Sequence, residues 1–219
     1  MNKPLVIDYY SDVLCVWAWI AQRRIDQLNK DLNNQIELRY HYVDVFGDVQ
    51  TKMSTQWQAK GAYEGFAEHV MHAAEQYDDA PVHKNIWKES RPASSASSHL
   101  VLKAAELAYG ADKSAELALV FRKAFFVELY DIGDVEGLYG LIEHRGLDTP
   151  PIKACMNNGS ALAALMNDYQ SARQLGIKGS PSYVLDGGRQ ILYGNVGYRV
   201  LLANVEELLK QPENEASWC

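Results

Sequence analysis

The chain has 219 residues, enough to bury one sizeable core, with 47% hydrophobic residues and a formal net charge of -7. That acidity, with no local Lys/Arg cluster against it, excludes a nucleic-acid-binding surface, and no apolar stretch is long enough to span a bilayer. The first apolar run, Leu5-Val6-Ile7, stops at Asp8, too short for a secretory signal, and cysteines at 15, 155 and 219 lack metal-ligand or disulfide-framework spacing. The expectation is a cytoplasmic protein with reduced thiols and no metal.

Leu5 to Tyr10 reads as a short buried strand, and Trp17, Ile20, Ala21, Ile25, Leu28 and Leu32 then form a helical stripe. Ile36, Leu38, Tyr40 and Tyr42 alternate with polar residues, the period of a half-buried strand, so the chain opens β-α-β. From about Phe46 to Gly176 the pattern turns helical. A segment around Thr55 to Gln76 comes first, followed by the run Ser94-Ser95-Ala96-Ser97-Ser98, which is either a loop or the capped start of a helix. Stripes at Val101, Ala104, Ala105 and Ala108, and at Leu117, Val120, Phe121, Ala124 and Phe125 after an Asp112 cap, predict two packed helices. Further caps at Asp134, Thr149 and Ser160 bring the layer to roughly four to six helices. Strands return at Tyr183 to Leu185 and Gln190 to Tyr193 around Gly187-Gly188, a two-residue hairpin signal, and Leu201, Leu202, Val205, Leu208 and Leu209 mark a last helix.

Cys15 stands at the first strand-to-helix turn. A thiol at a helix N-terminus meets unpaired backbone N–H groups that favour thiolate and hence nucleophilic chemistry, whereas Asp12 close to the sulfur would raise its pKa. The plainer alternative is a small buried hydrophobe. Ala18 occupies the position that would complete a Cys-x-x-Cys pair, so Cys15 cannot close a local disulfide and a mixed disulfide on it needs an external thiol. Cys155, among the helices, and Cys219, in the tail, are poor candidates for that task.

Trp17 and Trp19 point to different faces of one helix. Trp17 packs inward or lines a groove, and Trp19 supports the helical layer. His69, His72 and Glu75 share a helical face but lack a fourth metal ligand, so a solvated face is the expectation there. His99, after the serine run, either faces the Cys15 pocket or is a satisfied core or surface histidine.

Ser11 to Cys15, Asp131-Ile132-Gly133-Asp134, Gly146-Leu147-Asp148 and Ala172 to Pro181 together resemble the cytoplasmic branch of the DsbA-like family, over nearly the whole chain. That branch includes Cys-Pro-Trp-Cys oxidoreductases and is similar to kappa-class glutathione transferases and 2-hydroxychromene-2-carboxylate isomerases, which carry Ser-Pro-Tyr-Ser or a related turn. Cys15-Val16-Trp17-Ala18 matches neither. The resemblance implies an α/β, thioredoxin-like fold with a helical domain inserted between its βαβ and ββα motifs. Residues 1–47 and 177–212 would form the thioredoxin-like domain, 48–176 the insertion and 213–219 a flexible tail. It further implies Cys15 as nucleophile, a cis bond before Pro181, and Trp17, Ser180, Pro181 and Ser182 lining a site for a small-molecule or peptide thiol. Asn195 stands where kappa-type enzymes hold the γ-glutamyl carboxylate of glutathione, the implied cosubstrate. A homodimer is open on this resemblance. The activities it leaves open are a monothiol oxidoreductase, a glutathione-dependent isomerase or transferase, and a non-catalytic binding protein with a degenerate groove.

Overall fold

The structure is a computed structural model and describes residues 3–210; Cys219 and the expected 213–219 tail lie outside the described residues. Strand β1 (Leu5–Ser11) runs into helix α1 (Val16–Asp31) and then strand β2 (Ile36–Tyr42), which pairs parallel to β1 from Leu5↔Ile36 to Ser11↔Tyr42. Seven α-helices follow among the described residues. They are α2 (Val49–Thr55), α3 (Ala62–Ala74), α4 (Ala96–Tyr109), α5 (Ala111–Phe126), α6 (Val135–Glu143), α7 (Pro150–Asn157) and α8 (Ser160–Gln174). The chain closes with β3 (Ser182–Leu185), β4 (Gln190–Tyr193) and α9 (Tyr198–Leu209). The sheet order is β2-β1-β3-β4, with β3 antiparallel to both neighbours. This is the expected α/β arrangement, helices inserted between a βαβ and a ββα unit.

Side-chain alternation explains the layers. Ile7 and Tyr9 of β1, with Tyr183 and Leu185 of β3, face α1 and α9 through Ile25, Leu28, Leu201, Val205 and Leu208. Tyr10 and Val184 face the other way, onto Ala172 of α8. The largest apolar cluster runs without interruption from the first turns of α1 (Cys15, Val16, Ala18, Trp19) through Phe46 into the inserted helices at Trp87, Leu102, Phe121 and Phe125. Each large side chain buried there contributes about 1.5–3 kcal/mol. Trp19 braces the layer as expected, stacking on Phe126 with centroids 6.0 Å apart and donating Nε1–H to Pro81 O at 3.1 Å.

Several local expectations give way. The Thr55 to Gln76 segment is interrupted: α2 ends at Thr55, a 3-10 turn spans Gln58–Lys60, and α3 starts after Gly61, whose φ of +92° favours glycine. Gly110, not Asp112, caps α5, and Gly159, not Ser160, caps α8, because a left-handed or extended glycine reverses the chain between short-linked helices before a polar side chain can. The hairpin is longer than two residues, since Asp186–Gly188 forms a 3-10 turn. On the edge strand β2, His41 bridges Asp8 (Nε2···Oδ1 2.9 Å) and Asp168 of α8 (Nδ1···Oδ1 2.8 Å), and Lys103 of α4 reaches Asp168 at 3.3 Å.

Candidate active site

Cys15 is the N-cap of α1 with extended backbone (φ -84°, ψ 117°), so its sulfur sits over the first helical turn. The peptide bond between Ser180 and Pro181 is cis, and β3 starts immediately afterwards. Sheet pairing of β3 with β1 therefore brings residue 180 to residue 15. The Cys15 thiol donates to Ser180 O at 3.2 Å, and Asp12 N donates to Ser180 Oγ at 2.9 Å. Gly179 keeps this loop tight against β4, because a Cβ there would lie 2.6 Å from Tyr193 Oη.

The expectation of a thiolate favoured by the helix start is corrected here. Burial pushes the Cys15 thiol above its ordinary value. The Ser180 hydroxyl and the Ala18 and Trp17 amides favour the thiolate, but Asp12 works against it and burial outweighs the donors. The residue is 6% exposed, which is why desolvation dominates. In the unliganded protein Cys15 is a thiol donating to a carbonyl.

Asp12 is fully buried and organises the turn. Its Oδ1 accepts from Leu14 N at 2.9 Å, and its Oδ2 accepts from Phe46 N at 2.9 Å and Ser95 Oγ at 2.8 Å. Burial raises its pKa to about 6, against the pull of those donors. His99 Nε2 accepts from Val13 N at 3.2 Å, so the Nδ1 proton faces Tyr169 Oη at 3.3 Å. Burial and the Arg122 charge hold this imidazole well below its usual pKa, consistent with a neutral ring. Of the two readings of His99, the structure shows a satisfied core histidine that also touches the nucleophile turn. The serine run is the start of α4, yet Ser95 turns its hydroxyl to Asp12 instead of capping its own helix.

Sequence reasoning missed one cation. Lys52 of α2 lies with Nζ 5.0 Å from the Phe46 ring centroid. Burial lowers its pKa, and the negative charge of Asp12 and of an ionised Cys15 opposes that shift. A Lys one helix away in sequence carries no local motif, so only the packing of α2 beside Phe46 reveals it.

The remaining expected site residues separate. Trp17 is half-buried and packs on the helical core beside Cys15. Ser182 is a correction: it is fully buried and its Oγ donates back to Gly179 O at 3.0 Å, because β3 turns that side chain inward, so it braces the loop and does not face a ligand. Asn195 is exposed and bonded away from Cys15: its Oδ1 accepts from Arg24, and its Nδ2 donates to Tyr77 Oη at 2.9 Å. His72 pairs with Glu75 at 3.4 Å on an exposed face, while His69 packs on Trp57 with centroids 5.1 Å apart. Among the described residues, no helix is long and apolar enough to cross a membrane.

Comparison with known proteins agrees with this geometry. The family model described as a DSBA-like thioredoxin domain matches residues 6–206. The chain is 23% identical to the ClpXP adapter protein SpxH of Halalkalibacterium halodurans over 98% of its length and 71% of that protein. Among solved structures, the cytosolic disulfide reductase DsbM from Pseudomonas aeruginosa superposes with a TM-score of 0.69 at 21% identity, covering 97% of this chain and 100% of that one. DsbM has also been solved with glutathione. A 2-hydroxychromene-2-carboxylate isomerase superposes with a TM-score of 0.67 at 18% identity, covering 97% and 100%.

Proposed function

We propose that this chain, which belongs to the DSBA-like thioredoxin domain family, is a monothiol, glutathione-dependent thiol–disulfide enzyme with Cys15 as its nucleophile. One observation carries the reading: Cys15 at a helix start converges on Ser180 O beside cis-Pro181, with Ala18 where a second thiol would stand. The substrate is a small-molecule or peptide thiol joined to glutathione, and the setting is the reducing cytoplasm.

In the first step the Cys15 thiolate attacks the glutathionyl sulfur of a mixed disulfide. Cys15 first gives its thiol proton to water; the Cys15–S–S–glutathione bond then forms, the substrate S–S bond breaks, and the departing thiolate takes up a proton from solvent. Glutathione thiolate then attacks the same glutathionyl sulfur, forming glutathione disulfide and freeing Cys15. The substrate is the oxidant and glutathione the reductant. The Ser180 hydroxyl and the Ala18 and Trp17 amides stabilise the Cys15 anion in both steps.

Glutathione is doubly anionic at its carboxylates, and Lys52, beside Phe46, offers a partly buried ammonium to one of them in this reading. Trp17 flanks the thiol, and Asn195, once its Arg24 and Tyr77 partners yield, is the second polar contact in this reading. The test is turnover of a glutathione mixed disulfide. Wild type should release one equivalent of thiol without added glutathione and cycle with it, and Cys15→Ser should release none. Turnover retained in Cys15→Ser would end this reading.

The thiol's role as a hydrogen-bond donor supports a second reading, in which Cys15 S–H stabilises the sulfur of a bound glutathione that itself adds reversibly to a conjugated substrate. A serine at position 15 can serve that purpose. Glutathione-dependent double-bond isomerisation that survives Cys15→Ser would select it.

A further inference from the structure

The residues just ahead of the thiol are gripped by the inserted helices. Arg122 Nη2 of α5 donates to Ser11 Oγ at 2.8 Å, Ser95 Oγ donates to Asp12 Oδ2 at 2.8 Å, and Val13 N donates to His99 Nε2 at 3.2 Å. None of these three supporting side chains is more than 1% exposed, and the chemistry above uses none of them. His99 is the most demanding of the three. It can accept from Val13 only as the Nδ1–H tautomer, which Tyr169 Oη completes at 3.3 Å, and its ring is held in plane by stacking on Tyr42 at 4.5 Å. Without it, the Val13 amide is a buried donor with no acceptor two residues from the sulfur.

We propose that His99 is a positioning residue for Cys15: its Nε2 holds the Val13 amide and so sets the angle at which the thiol meets a disulfide. This rests on the reading of Cys15 as nucleophile. The titratable and charged groups in contact with His99 or the turn are Asp12, whose Oδ1 lies 3.8 Å from Nε2, Tyr42 of β2, Arg122 of α5 and Tyr169 of α8. Protonating Nε2 would turn an acceptor into a donor aimed at Asp12, and the Val13 bond would be lost.

The experiment measures the rate at which Cys15 in the purified protein forms a mixed disulfide with glutathione disulfide, with peptide mass mapping to score Cys155 and Cys219 separately. In this step Cys15 loses its thiol proton to water, the Cys15–glutathione S–S bond forms, that of glutathione disulfide breaks, and the released thiolate takes up a proton from solvent. His99→Leu should react about tenfold more slowly or worse per folded molecule, because small misplacements of a reacting group carry penalties of that order. His99→Gln, which keeps an acceptor near the Nε2 position, should return to within about threefold of wild type. If His99→Leu matches wild type, or if both variants are equally slow, the proposal falls while Cys15 stands as nucleophile. Wild type that does not react with glutathione disulfide overturns both. Should His99→Leu fail to fold, Tyr169→Phe removes the group that holds His99 in the Nδ1–H tautomer and should slow the reaction about threefold; an unchanged rate there also overturns the proposal.

Discussion

Cys15 Sγ donates to the backbone oxygen of Ser180 at 3.2 Å, joining residues 165 positions apart in the chain. Ionising the thiol breaks that bond and places a negative sulfur near the Asp12 carboxylate, so burial and Asp12 together hold the thiol form. Ultraviolet thiolate absorbance should titrate with a midpoint above that of a free cysteine. Asp12→Asn removes the like charge and should lower the midpoint, and a midpoint unmoved by this change would show that burial acts alone.

Ala18 is fully buried one helical turn from Cys15, in the place of a second thiol. Ala18→Cys should create a pair that closes on oxidation, seen as the loss of two thiols to Ellman's reagent, and should reduce a disulfide substrate once without glutathione. The added sulfur overpacks the start of α1, at a cost of about 1–3 kcal/mol in a denaturant melt.

Lys52 of α2 is the partly buried cation beside Phe46 that the proposed glutathione site uses. Lys52→Gln should raise the KM for glutathione by about twofold to fivefold, the range for losing one partly exposed charge contact, with a smaller effect on kcat. A fall in kcat at constant KM would instead place Lys52 in thiolate stabilisation alone.

His41 lies between Asp8 and Asp168. Burial opposes its charge, but the bonds to both carboxylates outweigh it and raise the imidazole from 6.5 to about 9. Because the folded value is the higher one, the charged pairings stabilise fully below about pH 6.5 and are lost as pH rises through about 9. Thermal melts of His41→Gln should show a deficit of about 2–3 kcal/mol at pH 6, narrowing towards pH 9 and above. A constant deficit across that range would mean that the side chain acts by packing alone.

The parts of the fold that repeat locally were readable in advance. The alternation of Ile36 to Tyr42 and the stripe from Trp17 to Leu28 both became the elements they predicted, because each buries one face against a continuous core. Helix boundaries were less legible where two caps compete, as at Gly110 and Asp112, since either residue suits a helix start and only the link to α4 decides. Of the candidate site, Cys15 was legible from its place at the first strand-to-helix turn together with motif resemblance, and Pro181 from the resemblance. The tie of Ser95 to Asp12 could not be read out, and nothing in the sequence chose between the two readings of His99, because Asp12 and Val13 lie far away in sequence and meet these side chains only through helix packing. Ser182 carried the right residue type for ligand contact, but β3 is buried on both faces and its hydroxyl is spent on Gly179 O.

Ser95 N–H donates to Phe46 O at 2.9 Å, Phe46 N–H donates to Asp12, and the Ser95 hydroxyl reaches that same carboxylate. This closed ring means that the helical insertion is no detachable accessory. A minimal domain made by joining β2 directly to β3 would strip Asp12 of two of its three donors and of the Phe46, Ser95 and His99 residues packed around it, so the inserted helices and the thiol turn must be inherited, transplanted or redesigned as one unit.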